Sequence, residues 1–378
     1  MAAITYKCPN CGGELTFDPS SQKYKCEYCM SKFTQEELDA MAPKEGEERA
    51  DNAGGSQTES ASDPSGAGMP KDSQADGSES GAGKTDGAGS AMVYTCPSCG
   101  AEIVTDETTA ATFCYYCHNP VVLSGRLSGE YMPNKVIPFA IDKKEATKQF
   151  MEYVGRKKFV PKAFFNKSQI EKLSGVYFPY WQYSCQVDGE ADGEGTRTRV
   201  WRAGETEYTE TSIYRLERRG DISLRNMTKN ALKKSDKALV EGVQPYRIDE
   251  AKEFSMGYLS GFQAEKRDME KSEFEVQMHQ DAEEYSKRLL RDTMEGYSTV
   301  TVQSSHVEFR KEEWKYLLLP VWVLTYSGRN DKVYYYALNG QNGNVCGKLP
   351  VDYGKLGIVS GITAAVVFVI GLIGGYLL

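Results

Sequence analysis

The sequence predicts an α+β multidomain protein made of two small β modules clipped by cysteines, a disordered linker, a larger α+β body and one C-terminal transmembrane helix. Three observations predict it: a cysteine motif that occurs twice, a polar stretch between the two copies, and a final segment without charged residues. The predicted boundaries are 1–41 and 92–126 for the modules, 42–91 for the linker, 127–355 for the body and 356–378 for the membrane helix. The ordinary composition of the 378 residues excludes a fully disordered, collagen-like or polytopic membrane protein. The net charge of −8 argues against a bulk electrostatic binder of polyanions and leaves local basic patches open.

Eight of the ten cysteines form two copies of one pattern. In each copy, fourteen residues separate two C-x2-C pairs; the cysteines are Cys8, Cys11, Cys26 and Cys29, and then Cys96, Cys99, Cys114 and Cys117. Four thiolates at tetrahedral reach are the ligands that structural zinc prefers, and this spacing is typical of zinc ribbons. The sequence therefore predicts two structural Zn²⁺ ions. Iron–sulfur ligation stays open, as does a replacement of Cys117 by His118 as a ligand, whereas disulfides would need an oxidising compartment.

The repeat extends beyond the cysteines. Glu14 aligns with Glu102, and Tyr28 aligns with Tyr116. A glycine follows each first C-x2-C pair, where the backbone must turn tightly to aim its amides at sulfur. Modules of about 30 residues are too short to fold on a hydrophobic core, so metal must supply much of the folding free energy. Residues 1–41 are called ribbon 1 below, and residues 92–126 are called ribbon 2.

The segment between the two ribbons has an unusual composition. Residues 42–91 contain no Val, Ile, Leu, Phe, Tyr or Trp, and their ten acidic residues outnumber four basic ones. Such a stretch cannot bury enough apolar surface to offset its ordering entropy. It is predicted to be a flexible linker that lets ribbon 1 search a volume close to a membrane-bound partner.

The predicted membrane helix has 23 residues without a charge. Such a helix is about 34 Å long, enough to cross a hydrocarbon core of roughly 30 Å. No signal peptide is recognised, so a single-pass tail anchor in the cytoplasmic membrane is predicted, and Lys348 and Lys355 favour a body in the cytosol. Small residues four apart let membrane helices approach closely, so a homodimer face is a possible role of Gly357, Gly361, Gly371 and Gly375. The alternative is that glycine is simply common in membrane helices.

Two helices and a basic stretch open the body. Asp142 is the predicted N-cap of a helix that ends at Gly155, and Ser168 with Glu171 is a predicted capping box. Residues 143–172 contain nine bases and three acids, interleaved with Phe159, Phe164 and Phe165. Such a stretch could bind nucleic acid or anionic lipid head groups; the alternative is a solvated helix pair whose aromatic residues belong to the core.

Much of the remaining body is predicted to be β-structure. A hairpin is predicted around Gly204, and its first strand places three side chains on one face: Arg197, Arg199 and Trp201. This face is a candidate recognition surface; the alternative, which the sequence favours, is an ordinary exposed strand. The segments Phe178-Pro-Tyr-Trp and Leu319-Pro-Val-Trp resemble each other. Their likeness predicts that two related strands pair at the centre of one sheet.

A long charged helix is predicted over residues 264–295, with a core stripe of Phe274, Met278, Ala282, Tyr285 and Leu289. His279 and Glu283 are one turn apart but have no third ligand, so no metal site is predicted there. Cys185 and Cys346 are predicted to be buried free thiols. The chain has three histidines and no phosphate-binding or nucleophile motif, and we expect no enzymatic activity.

The order of these parts resembles an uncharacterised bacterial family of tail-anchored membrane proteins with a transcription-factor-IIB-type zinc ribbon, sometimes labelled primosomal-helicase-like. The resemblance covers nearly the whole chain outside the linker. It rests on both cysteine quartets, on Gly175-Val-Tyr-Phe-Pro-Tyr-Trp, and on Leu319-Pro-Val-Trp with Asn339-Gly-Gln-Asn-Gly. It implies the architecture described above and no known activity.

Taken as hypotheses about function, these observations favour a protein-binding adaptor or scaffold at the cytosolic face of a membrane. An unidentified protein partner would be recognised by ribbon 1 and the hairpin. The second hypothesis is a nucleic-acid-binding protein tethered to the membrane, with contacts from ribbon 1 and residues 143–172. The third is an enzyme with an unrecognised site in the body.

Overall fold

The computed structural model describes residues 3–41, 92–161, 164, 166–327 and 332–377. The α-helices in this part of the chain are α1 (Gln35–Met41), α2 (Lys143–Gly155), α3 (Lys167–Glu171), α4 (Lys237–Gly242), α5 (Glu275–Asp292) and α6 (Tyr353–Leu377). Together with the strands below they form an α+β architecture, as predicted. The predicted linker, residues 42–91, lies outside the described residues.

Most strands belong to one mixed sheet of eleven strands. They are β1 (Ala3–Ile4), β7 (Thr109–Phe113), β8 (Pro120–Leu123), β9 (Lys135–Val136), β10 (Ser174–Ala203), β11 (Thr206–Asn230), β12 (Lys252–Glu253), β13 (Gln263–Glu265), β14 (Thr299–Ser327), β15 (Val333–Asn339) and β16 (Val345–Lys348). Two smaller sheets lie in the ribbons: β2 (Leu15–Asp18), β3 (Lys23–Cys26) and β4 (Lys32–Phe33) in ribbon 1, and β5 (Met92–Thr95) and β6 (Glu102–Thr105) in ribbon 2.

The long antiparallel pair of β10 and β14 forms the centre of the main sheet. Phe178 lies opposite Leu319 and Tyr180 lies opposite Leu317, so the two similar segments pair as predicted. Tyr177 faces a core that contains Phe139, whereas Tyr180 faces a second core on the other side of the sheet. Burial on both faces explains why these strands are continuously apolar instead of alternating.

The first two helices of the body begin at side-chain caps. The carboxylate of Asp142 accepts a hydrogen bond of 2.8 Å from the amide of Glu145, and α2 ends at Gly155 as predicted. The predicted cap of the next helix is wrong by two residues. The side chain of Asn166 accepts from the amide of Gln169 at 2.8 Å, so α3 begins at Lys167 and Ser168 lies inside its first turn.

The predicted helix over residues 264–295 is shorter in the structure, because its first residues form β13 and α5 begins at Glu275. Met278 and Ala282 are buried as predicted, but Tyr285 is 51 % exposed and Leu289 is 36 % exposed. Ser286 and Leu290 are buried in their place. The buried residues of α5 are spaced four apart, so the buried face moves gradually around the helix. This happens because α5 packs against the twisted strands β10 and β11.

Among the described residues, α6 is the one helix that is long and apolar enough to cross a membrane, over Tyr353–Ile373. The glycines of the predicted dimer face lie on this helix, and the homodimer stays a prediction. Cys185 is a buried free thiol as predicted, whereas Cys346 is only half-buried.

Candidate metal centres

The structure brings the eight predicted ligands together in two clusters. In each cluster, all four Sγ atoms lie within 4.8 Å of one another. The Sγ atoms of Cys8 and Cys29 are 3.5 Å apart, and those of Cys96 and Cys117 are 3.7 Å apart. A metal held by four sulfurs at about 2.3 Å in a tetrahedron requires a separation of about 3.8 Å. Both clusters therefore fit a tetrahedral ion with four sulfur ligands.

Each C-x2-C turn ends in a residue with left-handed backbone geometry. Gly12 and Gly100 follow the first pairs with φ of 71° and 75°, and Met30 and His118 follow the second pairs with φ of 60° and 58°. The amide of His118 donates to the carbonyl of Cys114 at 2.9 Å, as the amide of Met30 does to Cys26 at 3.0 Å. His118 therefore has the turn position that Met30 has in ribbon 1, and Cys117 provides the fourth sulfur of the cluster.

Hydrogen bonds favour the thiolate form of one cysteine in each cluster. The hydrogen bonds of Ser31 lower the pKa of the Cys29 thiol to about 6. Burial raises the pKa of Cys114, but hydrogen bonds from the backbone of Cys117 and Tyr116 outweigh it and lower that pKa to about 7. The backbone of Gly13 lowers the pKa of Cys11, but hydrogen bonds from the neighbouring cysteines outweigh it and raise that pKa to about 12, and burial raises the pKa of Cys117 to about 12. Because metals bind the thiolate, each cluster holds one thiol close to its binding form and at least one that a metal would have to deprotonate.

Ribbon 1 is packed against the body, which corrects the expectation that it moves freely on a linker. The amide of Phe17 donates to the carbonyl of Ser260 at 3.0 Å, and the Ser260 hydroxyl donates to the carbonyl of Leu15 at 2.5 Å. The rings of Phe17 and Tyr258 meet edge to face with centroids 5.2 Å apart. Tyr24 is 1 % exposed beneath them. The ribbon is fixed because its own apolar face is buried by residues more than two hundred positions later.

The two ribbons also contact each other through Glu14. Its carboxylate accepts hydrogen bonds from the hydroxyl of Ser98 and, at 2.7 Å, from the side-chain amide of Asn119. Both donors lie in or next to the cysteine turns of ribbon 2. Glu14 is therefore one contact between the two cysteine clusters, whereas its repeat counterpart Glu102 is exposed on β6.

Ribbon 2 is continuous with the main sheet. Its strands β7 and β8 belong to that sheet, and β7 pairs with β13. The guanidinium of Arg126 is buried and donates to the hydroxyl of Tyr94 at 2.7 Å and to the carbonyl of Thr109 at 3.0 Å. The predicted boundary between ribbon 2 and the body stays a prediction, and no break in the sheet marks it.

A charged bridge joins ribbon 2 to β13. The ammonium of Lys234 lies 2.6 Å from Asp106 and 2.9 Å from Glu265. Burial raises the pKa of Asp106, but the hydrogen bonds of Lys234 and Thr109 outweigh it and hold that pKa well below its usual range. Burial raises the pKa of Glu265, which Lys234 only partly offsets.

The remaining candidate residues do not join a metal centre. His279 lies 2.6 Å from the carboxylate of Glu312, while Glu283 pairs with Lys287. In the stretch 143–172, Phe164 is fully buried and so belongs to the core, and Phe165 lies outside the described residues.

The predicted hairpin is the end of one very long pair of strands. β10 and β11 remain paired out to Ala203 and Thr206, but β14 pairs with β10 only as far as Thr196. Beyond that point the two strands form an arm, residues 198–211, that has no third strand among the described residues. On one face of the arm the guanidinium of Arg199 lies over Trp201, which stacks on Tyr208 with centroids 5.5 Å apart.

Sequence reasoning missed three of these features. The partners of ribbon 1, Tyr258 and Ser260, carry no motif, so no local signal identifies them. The sequence shows Glu14 only as the residue that aligns with Glu102 in the repeat, and it does not show the contact of Glu14 with ribbon 2. The length of the arm follows from where β14 begins, and the sequence around Thr299 does not mark that start.

Comparison with known proteins identifies a relative. The uncharacterized protein YdjG of Bacillus subtilis strain 168 is 30 % identical over 259 residues, which cover 67 % of this chain and 76 % of that protein. No family model matches the chain. No solved structure matches it either.

Proposed function

The chain belongs to the same family as the Bacillus subtilis protein YdjG, and we propose that it is a membrane-anchored zinc protein that acts as a protein-binding adaptor. In this proposal both cysteine clusters hold structural Zn²⁺ in ribbons of the transcription-factor-IIB type, and α6 anchors the body at the cytosolic face of the membrane. The chain itself catalyses no reaction. The observation that carries the proposal is the arm of residues 198–211.

The arm has the composition of a protein-binding surface. Trp201 is 41 % exposed and Tyr208 is 45 % exposed, although both are large aromatic residues. Trp, Tyr and Arg are the residues that most often dominate binding energy in protein interfaces. Because Trp201 stacks between Arg199 and Tyr208, its position is fixed before a partner arrives, and less side-chain entropy is lost on binding.

The arm also exposes unpaired backbone. An isolated two-stranded hairpin is marginally stable in water, and its open edges can pair with a further strand. A partner that adds a strand or covers the aromatic face would stabilise the arm. This makes the arm, more than ribbon 1, the surface that we assign to partner recognition.

Zinc is the metal that the donor set favours. Four sulfur ligands fill a tetrahedral site and leave no open position for a substrate, which is the arrangement of structural zinc. The free thiols and the absence of any disulfide among the described residues suit a reducing compartment. Both points support a body that faces the cytosol.

Site-specific photocrosslinking in the full-length protein tests the adaptor function. We would place benzoylphenylalanine at position 208 on the arm and, as a control, at position 285, where an equally exposed tyrosine lies on α5. The expected result is a discrete protein adduct at position 208 that survives high salt and disappears when Trp201→Ala is added. The control position should give no such adduct.

Two outcomes would contradict the proposal. A position-208 adduct that nuclease removes would favour the nucleic-acid hypothesis. Equal, diffuse labelling at both positions would mean that the arm recognises no protein. Metal analysis of the same preparation should find two zinc ions per chain, and iron or a single ion would overturn the zinc assignment.

A further inference from the structure

A cluster of three consecutive bases lies where α6 begins, although the sequence places them about two hundred residues earlier. Arg156, Lys157 and Lys158 follow the end of α2 and are all exposed. The amide of Asp352 donates to the carbonyl of Phe159 at 2.6 Å. The ammonium of Lys355 reaches the carbonyl of Val160 at 3.4 Å. These bonds fix the bases beside the first turn of the membrane-spanning helix.

The three bases line one cleft with apolar walls. The cleft has a volume of about 460 Å³, and Tyr153, Leu349 and Pro350 form part of its wall. None of its lining residues is acidic, and none of the three bases forms an ion pair with another described residue. Nearby Asp352 is already paired with Lys355 at 3.6 Å. The cleft therefore carries uncompensated positive charge at the level where the membrane helix starts.

A shallow, largely apolar groove continues from this cleft along α6. Among the described residues, Phe159 is its one lining residue outside the helix, and the groove then follows Leu356, Val359, Thr363 and Val367 along one side of α6. A positively charged cleft that opens into an apolar groove parallel to a membrane helix matches an amphipathic anion with a long hydrocarbon chain. A nucleic acid would fit the charge but would leave the groove empty.

We infer that this corner of the body binds an anionic phospholipid, with the phosphate-containing head group in the cleft and one acyl chain along α6. Bases held at a membrane surface attract anionic lipids, and each contributes roughly a fivefold gain in binding. Lys348 and Lys355 are the bases that the sequence places next to the helix, and the fold adds three more. The proposed lipid site shares no residue with the arm. An experiment that refutes lipid binding would therefore leave the adaptor function untouched, and the reverse also holds.

Lipid retention by the full-length protein tests the inference. The protein would be reconstituted in nanodiscs of equal parts phosphatidylcholine and phosphatidylglycerol with identical acyl chains, released, and examined by native mass spectrometry. Wild type should retain phosphatidylglycerol in preference to phosphatidylcholine. The variant Arg156→Gln, Lys157→Gln, Lys158→Gln should lose this preference by about tenfold or more.

The matched control neutralises three exposed lysines of α2, outside the cleft: Lys143→Gln, Lys144→Gln, Lys148→Gln. It changes the net charge equally and should retain the preference of wild type. Thr363→Phe, which fills the groove, should reduce retention without changing charge. Equal loss in both triple variants, or no preference in wild type, would overturn the inference, and unchanged retention in Thr363→Phe would overturn the placement of the acyl chain.

Discussion

Ribbon 1 and ribbon 2 share one cysteine pattern but are joined to the body in different ways. Ribbon 2 contributes β7 and β8 to the main sheet and buries Arg126 among its own carbonyls. Ribbon 1 adds only the two residues of β1 to that sheet, and its other contacts include the ring of Tyr258, hydrogen bonds with Ser260 and the bonds of Glu14 to ribbon 2. The same cysteine motif therefore gives the same local fold in both ribbons. The residues around the motif determine whether the stability of that fold is shared with the main sheet.

Removal of the metal ligands should give the largest contrast between the ribbons. Cys96→Ser with Cys99→Ser should destabilise the sheet around β7 and β13, because those strands pair across the ribbon boundary. Structural zinc contributes about 10 kcal/mol or more to small zinc modules. Hydrogen exchange should show lost protection in β7 and β13. Cys8→Ser with Cys11→Ser should leave that protection intact, and identical patterns in the two variants would refute the comparison.

The docking of ribbon 1 should be sensitive to Tyr258. Tyr258→Ala removes a buried ring that contacts Phe17 and Tyr24, and large-to-small changes of this kind cost about 3 kcal/mol. The amide of Phe17 should then exchange rapidly, while ribbon 1 keeps its metal and ribbon 2 is unchanged. Tyr285→Ala, at an exposed tyrosine, is the control. Slow exchange at Phe17 in the Tyr258 variant would mean that other contacts hold the ribbon.

The internal cohesion of ribbon 2 should depend on Arg126. Arg126→Met keeps the apolar stem but removes the donors to Thr109 and to the backbone of Asp106. Buried acceptors left unpaired cost about 1–3 kcal/mol. The expected result is a lower thermal midpoint with increased exchange confined to ribbon 2 and β13. Arg202→Met, at an exposed arginine of the arm, should change the midpoint little, and a similar drop in both variants would contradict the assigned role.

The smallest effect should come from the contact between the ribbons. Glu14→Ala removes the acceptor of Ser98 and Asn119, and a half-buried charged hydrogen bond of this kind contributes about 1 kcal/mol. Exchange should rise around residues 96–119 without loss of either metal. Glu102→Ala is the counterpart in the repeat and should have no effect. Equal increases in exchange in the two variants would show that the effect comes from the shared position in the repeat and not from the contact between the ribbons.

The parts that the sequence predicted well depend on local or repeated patterns. The cysteine quartets could be recognised from their spacing alone. The helix cap at Asp142 could be recognised from Asp142 and the three residues that follow it. The pairing of the segments at Phe178 and Leu319 could be predicted because the two strands carry the same buried pattern. The predicted core stripe on α5 was wrong at Tyr285 and Leu289. The prediction assumed that the helix packs on a flat surface, whereas the strands β10 and β11 twist beneath it.

The parts that could not be predicted depend on contacts between distant residues. Ser260 and Tyr258 have ordinary sequence surroundings, so nothing marks them as the platform for ribbon 1. The sequence shows Arg156, Lys157 and Lys158 as part of a basic stretch. Their position beside α6 follows from two hydrogen bonds, which the backbone amide of Asp352 and the side-chain ammonium of Lys355 donate to the carbonyls of the two residues that follow these bases. Such juxtapositions are properties of the tertiary fold alone.

The continuous strand β10 fixes the distance between the start of the strand and the arm. Its first residue, Ser174, pairs with Val323, close to the part of β14 that contacts Gln169 of α3 and Phe164. Trp201 lies 27 positions further along the same strand. At about 3.3 Å per residue, that separation approaches 90 Å before twist shortens it. In the proposed adaptor, a partner on the arm would therefore lie up to that distance from the Ser174 end of β10, and the length of β10 would set this separation.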